Sequence, residues 1–210
     1  PKIDAIKHQL IEGWHIFITS IQSNILSSTG IFVLGLFASE KIVGYYSAIE
    51  KLVKAFVYLF TPFTQAIYPL TSKNLSDNKH AGIIFLVKIA FFTCFLALFI
   101  MIILIMFPKE IISLVFGNDF NDYSIIMQFL SVWLLFGVIN NFIGIQFLIG
   151  GGNSHVYLKS FNIASLITLL IYFGMTWKYS YIGVVLGMVI GEITLTLCMV
   201  CFIKRYKLWQ

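Results

Sequence analysis

Residues 81–107 read AGIIFLVKIAFFTCFLALFIMIILIMF, and Lys88 is their only charged side chain. As a helix rising 1.5 Å per residue, this run is about 40 Å long, enough to cross the roughly 30 Å hydrocarbon core of a bilayer. A membrane strand would instead be about 10 residues of alternating character. The rest of the chain agrees. Of 210 residues, 59% are hydrophobic and 11% are charged, with mean hydropathy +0.91. An ordinary soluble domain carries roughly 25% charged residues, and a disordered chain is polar. Three cysteines do not make a disulfide framework. The class that remains is an all-α, multi-pass membrane protein, and the net charge of +5 reads as membrane topology rather than nucleic-acid contact.

Reading for further runs predicts six transmembrane helices, at about 13–38, 45–68, 81–107, 124–149, 157–177 and 181–203. The connections ASEKIVG, LTSKNLSDNKH, PKEIISLVFGNDFND, GGGNSHV and KYS are too short for a folded extramembrane domain. The expected organisation is therefore a cytoplasmic linker over 1–12 and one six-helix lobe over 13–210. The opening PKIDAIKHQL has neither Met nor the features of a signal peptide, and reads as the interior of a longer protein. Lys and Arg set the orientation. Lys2, Lys7, Lys73, Lys79, Lys159, Lys204, Arg205 and Lys207 fall on one side, and Lys41, Lys109 and Lys178 on the other. Both ends of the chain are then expected in the cytoplasm. In the third connection, Pro108–Phe116 is expected as a short interfacial helix that starts on Pro108 and stops at Gly117.

The second span carries the most information. At 100° per residue, Ser47, Glu50, Lys51, Lys54, Tyr58, Thr61, Gln65 and Tyr68 share one arc, opposite Ile49, Leu52, Val53, Phe56, Leu59, Phe60 and Phe63. Charges facing lipid are costly, so the stripe is expected against a water-filled cavity or a polar partner helix. Glu50 and Lys51 lie near enough to one end to reach headgroups, and Glu50–Lys54 is an i, i+4 pair that can neutralise itself. Pro62 is expected to kink the helix. In the first span His15, Thr19, Gln22, Ser23, Asn24 and Ser27 form a second polar arc, read either as interhelical glue or as part of one wet wall.

Gly183, Gly187 and Gly191 form a doubled GxxxG, expected to let another helix approach closely. Beside it, Glu192 lies about midway along the sixth span. It is a candidate for ion coupling, with a structural hydrogen bond as the alternative. Cys198 and Cys201 lie in an apolar helix and read as fillers. His8, His15, His80 and His155 are too scattered for a metal, and no catalytic or phosphate-binding motif is present. Neither enzyme chemistry nor a cofactor is expected.

The stretch 24–73, NILSSTGIFVLGLFASEKIVGYYSAIEKLVKAFVYLFTPFTQAIYPLTSK, resembles the seventh and eighth helices of Wzx-type O-antigen flippases, in the polysaccharide-transporter branch of the MATE-like MOP superfamily. EKIVGYYSAIEKL and QAIYP are the sharpest parts; PKEIISLVFGNDF and the small residues before Glu192 are also similar to that family. The resemblance implies the C-terminal lobe of a two-lobe, twelve-helix transporter in the bacterial inner membrane. Such a protein moves undecaprenyl-pyrophosphate-linked oligosaccharide units by alternating access, coupled to an ion, proton or sodium. The implied partners are the lipid-linked oligosaccharide, the lipid bilayer and the N-terminal lobe. Lys51 and Lys54 would then supply charge along the path, and Tyr45, Tyr46, Tyr58 and Tyr68 would stack on sugars. At Ser27–Thr29, where many relatives carry Asp, this chain has hydroxyls. The alternatives are another exporter of the superfamily, for drugs or another lipid-linked precursor, or a membrane O-antigen polymerase or ligase. An enzyme of that kind needs a catalytic group on a large outer loop, and the longest such loop here is about 15 residues.

Overall fold

The computed structural model describes the backbone of residues 3–209 and the side chains of Trp14 and of residues 17–209. The side chain of His15 and those of the expected linker 1–12 lie outside the described residues. Among those described, regular structure is entirely helical. The long helices are α1 (Ile3–Phe37), α2 (Glu40–Asp77), α3 (Lys79–Met106), α5 (Ser124–Asn140), α6 (Ser154–Tyr179) and α7 (Tyr181–Arg205). The short α4 (Pro108–Phe116) and a 3₁₀ turn (Asn118–Tyr123) join α3 to α5, and a π-helix (Asn141–Ile149) continues α5. Among the described residues, five segments are long and apolar enough to cross a membrane: Phe17–Phe37, Lys79–Met106, Asn118–Ile149, Ser154–Tyr179 and Tyr181–Arg205.

α4 begins on Pro108, where the missing N–H costs nothing, and ends at Gly117, whose φ of +91° suits a residue without Cβ. α2 differs from expectation at both ends. It starts after Ser39 and runs to Asp77, because the polar residues after Pro69 include no Gly or Pro to stop it. It is continuous through Pro62 and Pro69. The turn at Asn78 then starts α3, with the Asn78 Oδ1 accepting the Ala81 N–H at 3.1 Å.

α5 is the central helix and packs on α2, α3 and α7, while α1 lies mainly on α6. Ile49, Leu130, Leu134, Val184 and Met199 are fully buried where these helices meet. α3 is the outermost of the apolar helices: Phe91, Phe92, Phe95 and Phe99 all face outward. α6 and α7 form the tightest pair. A Cβ on Gly183 would lie 2.5 Å from the Thr176 backbone, one on Gly187 would strike the Tyr172 ring, and one on Gly191 would meet Thr168. Each glycine thus admits one turn of α6, and the pair gains its close van der Waals contact from that approach.

Candidate functional site

α1 and α2 touch through Lys54 and Ser27 and separate below that point. α2 follows α5 and the π-helix, and α1 follows α6. Between them lies a groove of about 860 Å³. Its walls include Ser23 and Asn24 of α1, Thr61, Gln65 and Tyr68 of α2, and Asn141 and Gln146 of the π-helix. Among the described residues, none that lines it is charged. Tyr68 and Ile149 also border a second space of about 390 Å³, which leads past Ser72, Ser76 and Gly150–Gly152. The groove therefore runs toward the end of the bundle that carries Lys73, Lys79, Lys204 and Arg205.

The π-helix matters to this wall. Its i→i+5 hydrogen bonding brings residues five apart toward one side, and such segments recur at functional sites. Asn141 and Gln146, which an α-helix would separate, both face the groove. The Gln146 Nε2 donates to the Thr64 carbonyl at 2.8 Å, tying the π-helix to α2. Asn141 Oδ1 and Gln146 Oε1 remain without a hydrogen bond. Sequence reading passed over both residues. Their signal was present as three amides, Asn140, Asn141 and Gln146, in an apolar span, but α-helical periodicity spreads them around the axis.

The upper part of the stripe is built differently. Glu50 is buried, and the Lys54 Nζ lies 2.9 Å from its Oε1. The same ammonium donates to the Ser27 hydroxyl at 2.9 Å, joining α2 to α1. Lys51 is exposed, Ser47 is half-buried, and Tyr58 stands out on the flank. Tyr46 is fully buried, with its hydroxyl against the Met188 sulfur at 3.2 Å. Tyr45 stacks on Tyr123 at 4.6 Å and meets Phe120 edge-on at 4.5 Å. Tyr45 and Tyr46 are thus committed to packing, which corrects the expectation that they stack on sugars. Gln22 carries a buried amide oxygen without a hydrogen bond.

Glu192 faces a recess of about 90 Å³ between α1, α6 and α7, lined also by Ser23, Ser27, Trp133 and Thr168. The Asn140 Nδ2 donates to Glu192 Oε2 at 2.6 Å and to its backbone carbonyl at 2.9 Å. Thr196 donates to Asn140 Oδ1 at 2.7 Å. Ser23 lines both the recess and the groove. The cysteines are unpaired thiols. Among the described residues no cluster is arranged to hold a metal.

A family described as polysaccharide biosynthesis proteins matches residues 1–75. A protein of Escherichia coli strain K12, provisionally named an O-antigen transporter, is 26% identical over 207 residues, covering 97% of this chain and 49% of the relative. A protein of Shigella dysenteriae with the same name is 22% identical over 201 residues, covering 93% of this chain and 48% of the relative. These matches bear out the resemblance read from residues 24–73. The chain spans about half the length of the curated relatives it matches. No solved structure matches it.

Proposed function

We propose that this chain is the C-terminal lobe of a two-lobe flippase that moves an undecaprenyl-pyrophosphate-linked polysaccharide unit across the bacterial inner membrane by alternating access. The observation that carries the proposal is the groove, which has no charged side chain among the described residues. Hydroxyls, amides and Tyr68 gather along this groove, beside Ile145 and Ile149, in an otherwise apolar bundle. Neutral donors and acceptors suit a glycan, whose hydroxyls need hydrogen bonds in place of water. Names of relatives point the same way.

In this reading α2 also crosses the membrane, as the second of six spans, over about 45–68, with the linker 1–12 before the lobe 13–210. Its 38 residues are ample in length, and Glu50, Lys51 and Lys54 are why it is less apolar than the other five. The Lys-rich end lies in the cytoplasm with both ends of this chain. The groove is the inward-open half of the path, with Asn24, Thr61, Gln65 and Tyr68 in contact with sugar. Ser47, Glu50, Lys51, Lys54, Tyr58 and Gln22 belong to the other half, and meet substrate when α1 and α2 part at the opposite end. Lys51 and Lys54 then face the pyrophosphate, which needs positive charge on entering low dielectric. The N-terminal lobe covers the open side of the groove, and the lipid tail stays in the bilayer. Glu192 takes up the coupling ion, a proton or sodium, through Ser23 and the recess, while Gly183, Gly187 and Gly191 hold α6 and α7 together as a unit.

The test uses the complete protein in cells lacking their own flippase, scoring surface polysaccharide per correctly inserted molecule. Gln65→Leu with Asn141→Leu should lower it at least tenfold, the loss expected from about two hydrogen bonds. Undiminished surface polysaccharide in that double variant defeats the groove assignment. The double reversal Lys51→Glu, Lys54→Glu should abolish it. Glu192→Gln should remove its dependence on the ion gradient; a lowered protein level with an unchanged rate per molecule would make Glu192 structural.

A further inference from the structure

The π-helix has a second face. Opposite the groove, α3, the π-helix and the end of α7 leave a cleft on the outside of the bundle. Its deep part, about 490 Å³, is walled by Leu86, Ala90, Phe142, Phe147, Val200 and Ile203, with Lys204 at the edge. A shallower part of about 540 Å³ continues over α3 past Ile83 and Ile84 to His80 and Lys88. Val87 and Trp209 border both, so the two make one cleft. The Trp209 ring lies 5.3 Å from that of Phe147. Lys88 and Lys204 are exposed, and among the described residues neither has an ion-pair partner. Among the described residues, none that lines either part is acidic.

We infer that this cleft seats an anionic phospholipid, with an acyl chain in the deep part and its phosphate held by Lys88 and Lys204. The deep walls are apolar and offer nothing to a sugar. Among the described residues the rim carries positive charge only, which selects an anion; a basic pocket between helices at a membrane surface is suited to such headgroups. Trp209 has the character of a residue at the level of the headgroups. α3, which forms one side, is the most outward-facing helix, so lipid is the medium that reaches the cleft. A glycan carrier is the poorer fit: with its sugars in the groove, its chain would have to pass through the π-helix wall, which lines both spaces.

Contact quenching of tryptophan tests this without measuring transport, so its outcome is independent of the function proposed above. The complete protein is placed in phosphatidylcholine vesicles containing increasing mole fractions of brominated phosphatidylglycerol, or of brominated phosphatidylcholine. The Trp209 component is the difference from Trp209→Phe. It should be half-quenched at a mole fraction of phosphatidylglycerol at least fivefold below that of phosphatidylcholine. Lys88→Gln and Lys204→Gln should each erode this preference about fivefold, the factor one lysine supplies at an anionic surface. Ala90→Phe, which fills the deep part and keeps both lysines, should abolish saturable quenching. Equal quenching by the two lipids overturns the inference, as does a preference that survives the double Gln variant. Displacement of brominated phosphatidylglycerol by undecaprenyl phosphate at a lower mole fraction than by phosphatidylglycerol itself would also overturn it, giving the cleft to the carrier lipid.

Discussion

At the end of the bundle near α4, the stripe of α2 is tied down: Lys54 bridges Glu50 and Ser27, and Tyr45 is clamped between Phe120 and Tyr123. At the Lys-rich end the same stripe lines open space, and Thr61, Gln65 and Tyr68 look across the groove at Asn24 and Asn141. One helix face thus serves as a seal in one half and as a lining in the other. The difference lies in what stands opposite. In the sealed half α1 is close enough to accept a hydrogen bond from Lys54. In the open half the π-helix holds α2 through Gln146, and α1 is drawn away onto α6. A charged group suits a seal because a partner can neutralise it, whereas a neutral lining leaves its donors and acceptors for a ligand.

The contrast breaks most readily at Lys54. Lys54→Ala leaves the buried Glu50 carboxylate without its counter-charge and should destabilise the protein by about 3–5 kcal/mol. Lys54→Met with Glu50→Leu should recover most of that loss, because no charge is then left alone. Thermal unfolding of the complete protein in detergent measures both, and an undamaged Lys54→Ala would show that the pair is no seal. Next is Gly183→Val at the sealed end, where a Cβ would press on the Thr176 backbone. Overpacking of that kind costs about 1–3 kcal/mol. Gly174→Val, where a Cβ meets nothing within 4 Å, is the control and should lie within about 0.5 kcal/mol of the parent. In the open half, Gln146→Leu removes one bond to Thr64 and should cost about 1 kcal/mol. A larger loss would make the π-helix anchor as important as the ion pair. Cysteine labelling sharpens the geometry without perturbing it. Ser76→Cys and Asn118→Cys, at opposite ends of the bundle, should label from opposite sides of the membrane, Ser76→Cys from the cytoplasm. Labelling from the same side would remove the six-span topology.

Much of the fold was legible as periodicity and punctuation. The expected fourth span, 124–149, coincides with α5 and its π-helical continuation, and the Pro108–Phe116 helix has its expected bounds. Both ends of α4 are marked by residues whose backbone restricts the local choice, Pro at the start and Gly beyond the end. α2 was harder to bound because a helix can continue into water on its own hydrogen bonds, so loss of hydrophobicity at Tyr68 was no signal to stop. The Glu50–Lys54 contact was readable because i, i+4 spacing makes it local; its third member, Ser27, was not.

What the amino-acid sequence determined by itself is the helical class, the approximate positions of the helices and the polar stripe along α2, because each depends on neighbours within a few turns of the same helix. Only the tertiary structure decided where that stripe meets α1 and where the two part. It also decided that Asn141 and Gln146 join the wall, and that Asn140 takes hold of Glu192 from 52 positions away. Those outcomes rest on how helices far apart in sequence pack, and on a local change from α to π winding. The repeat of 3.6 residues carries information about one helix face, and none about the helix opposite it.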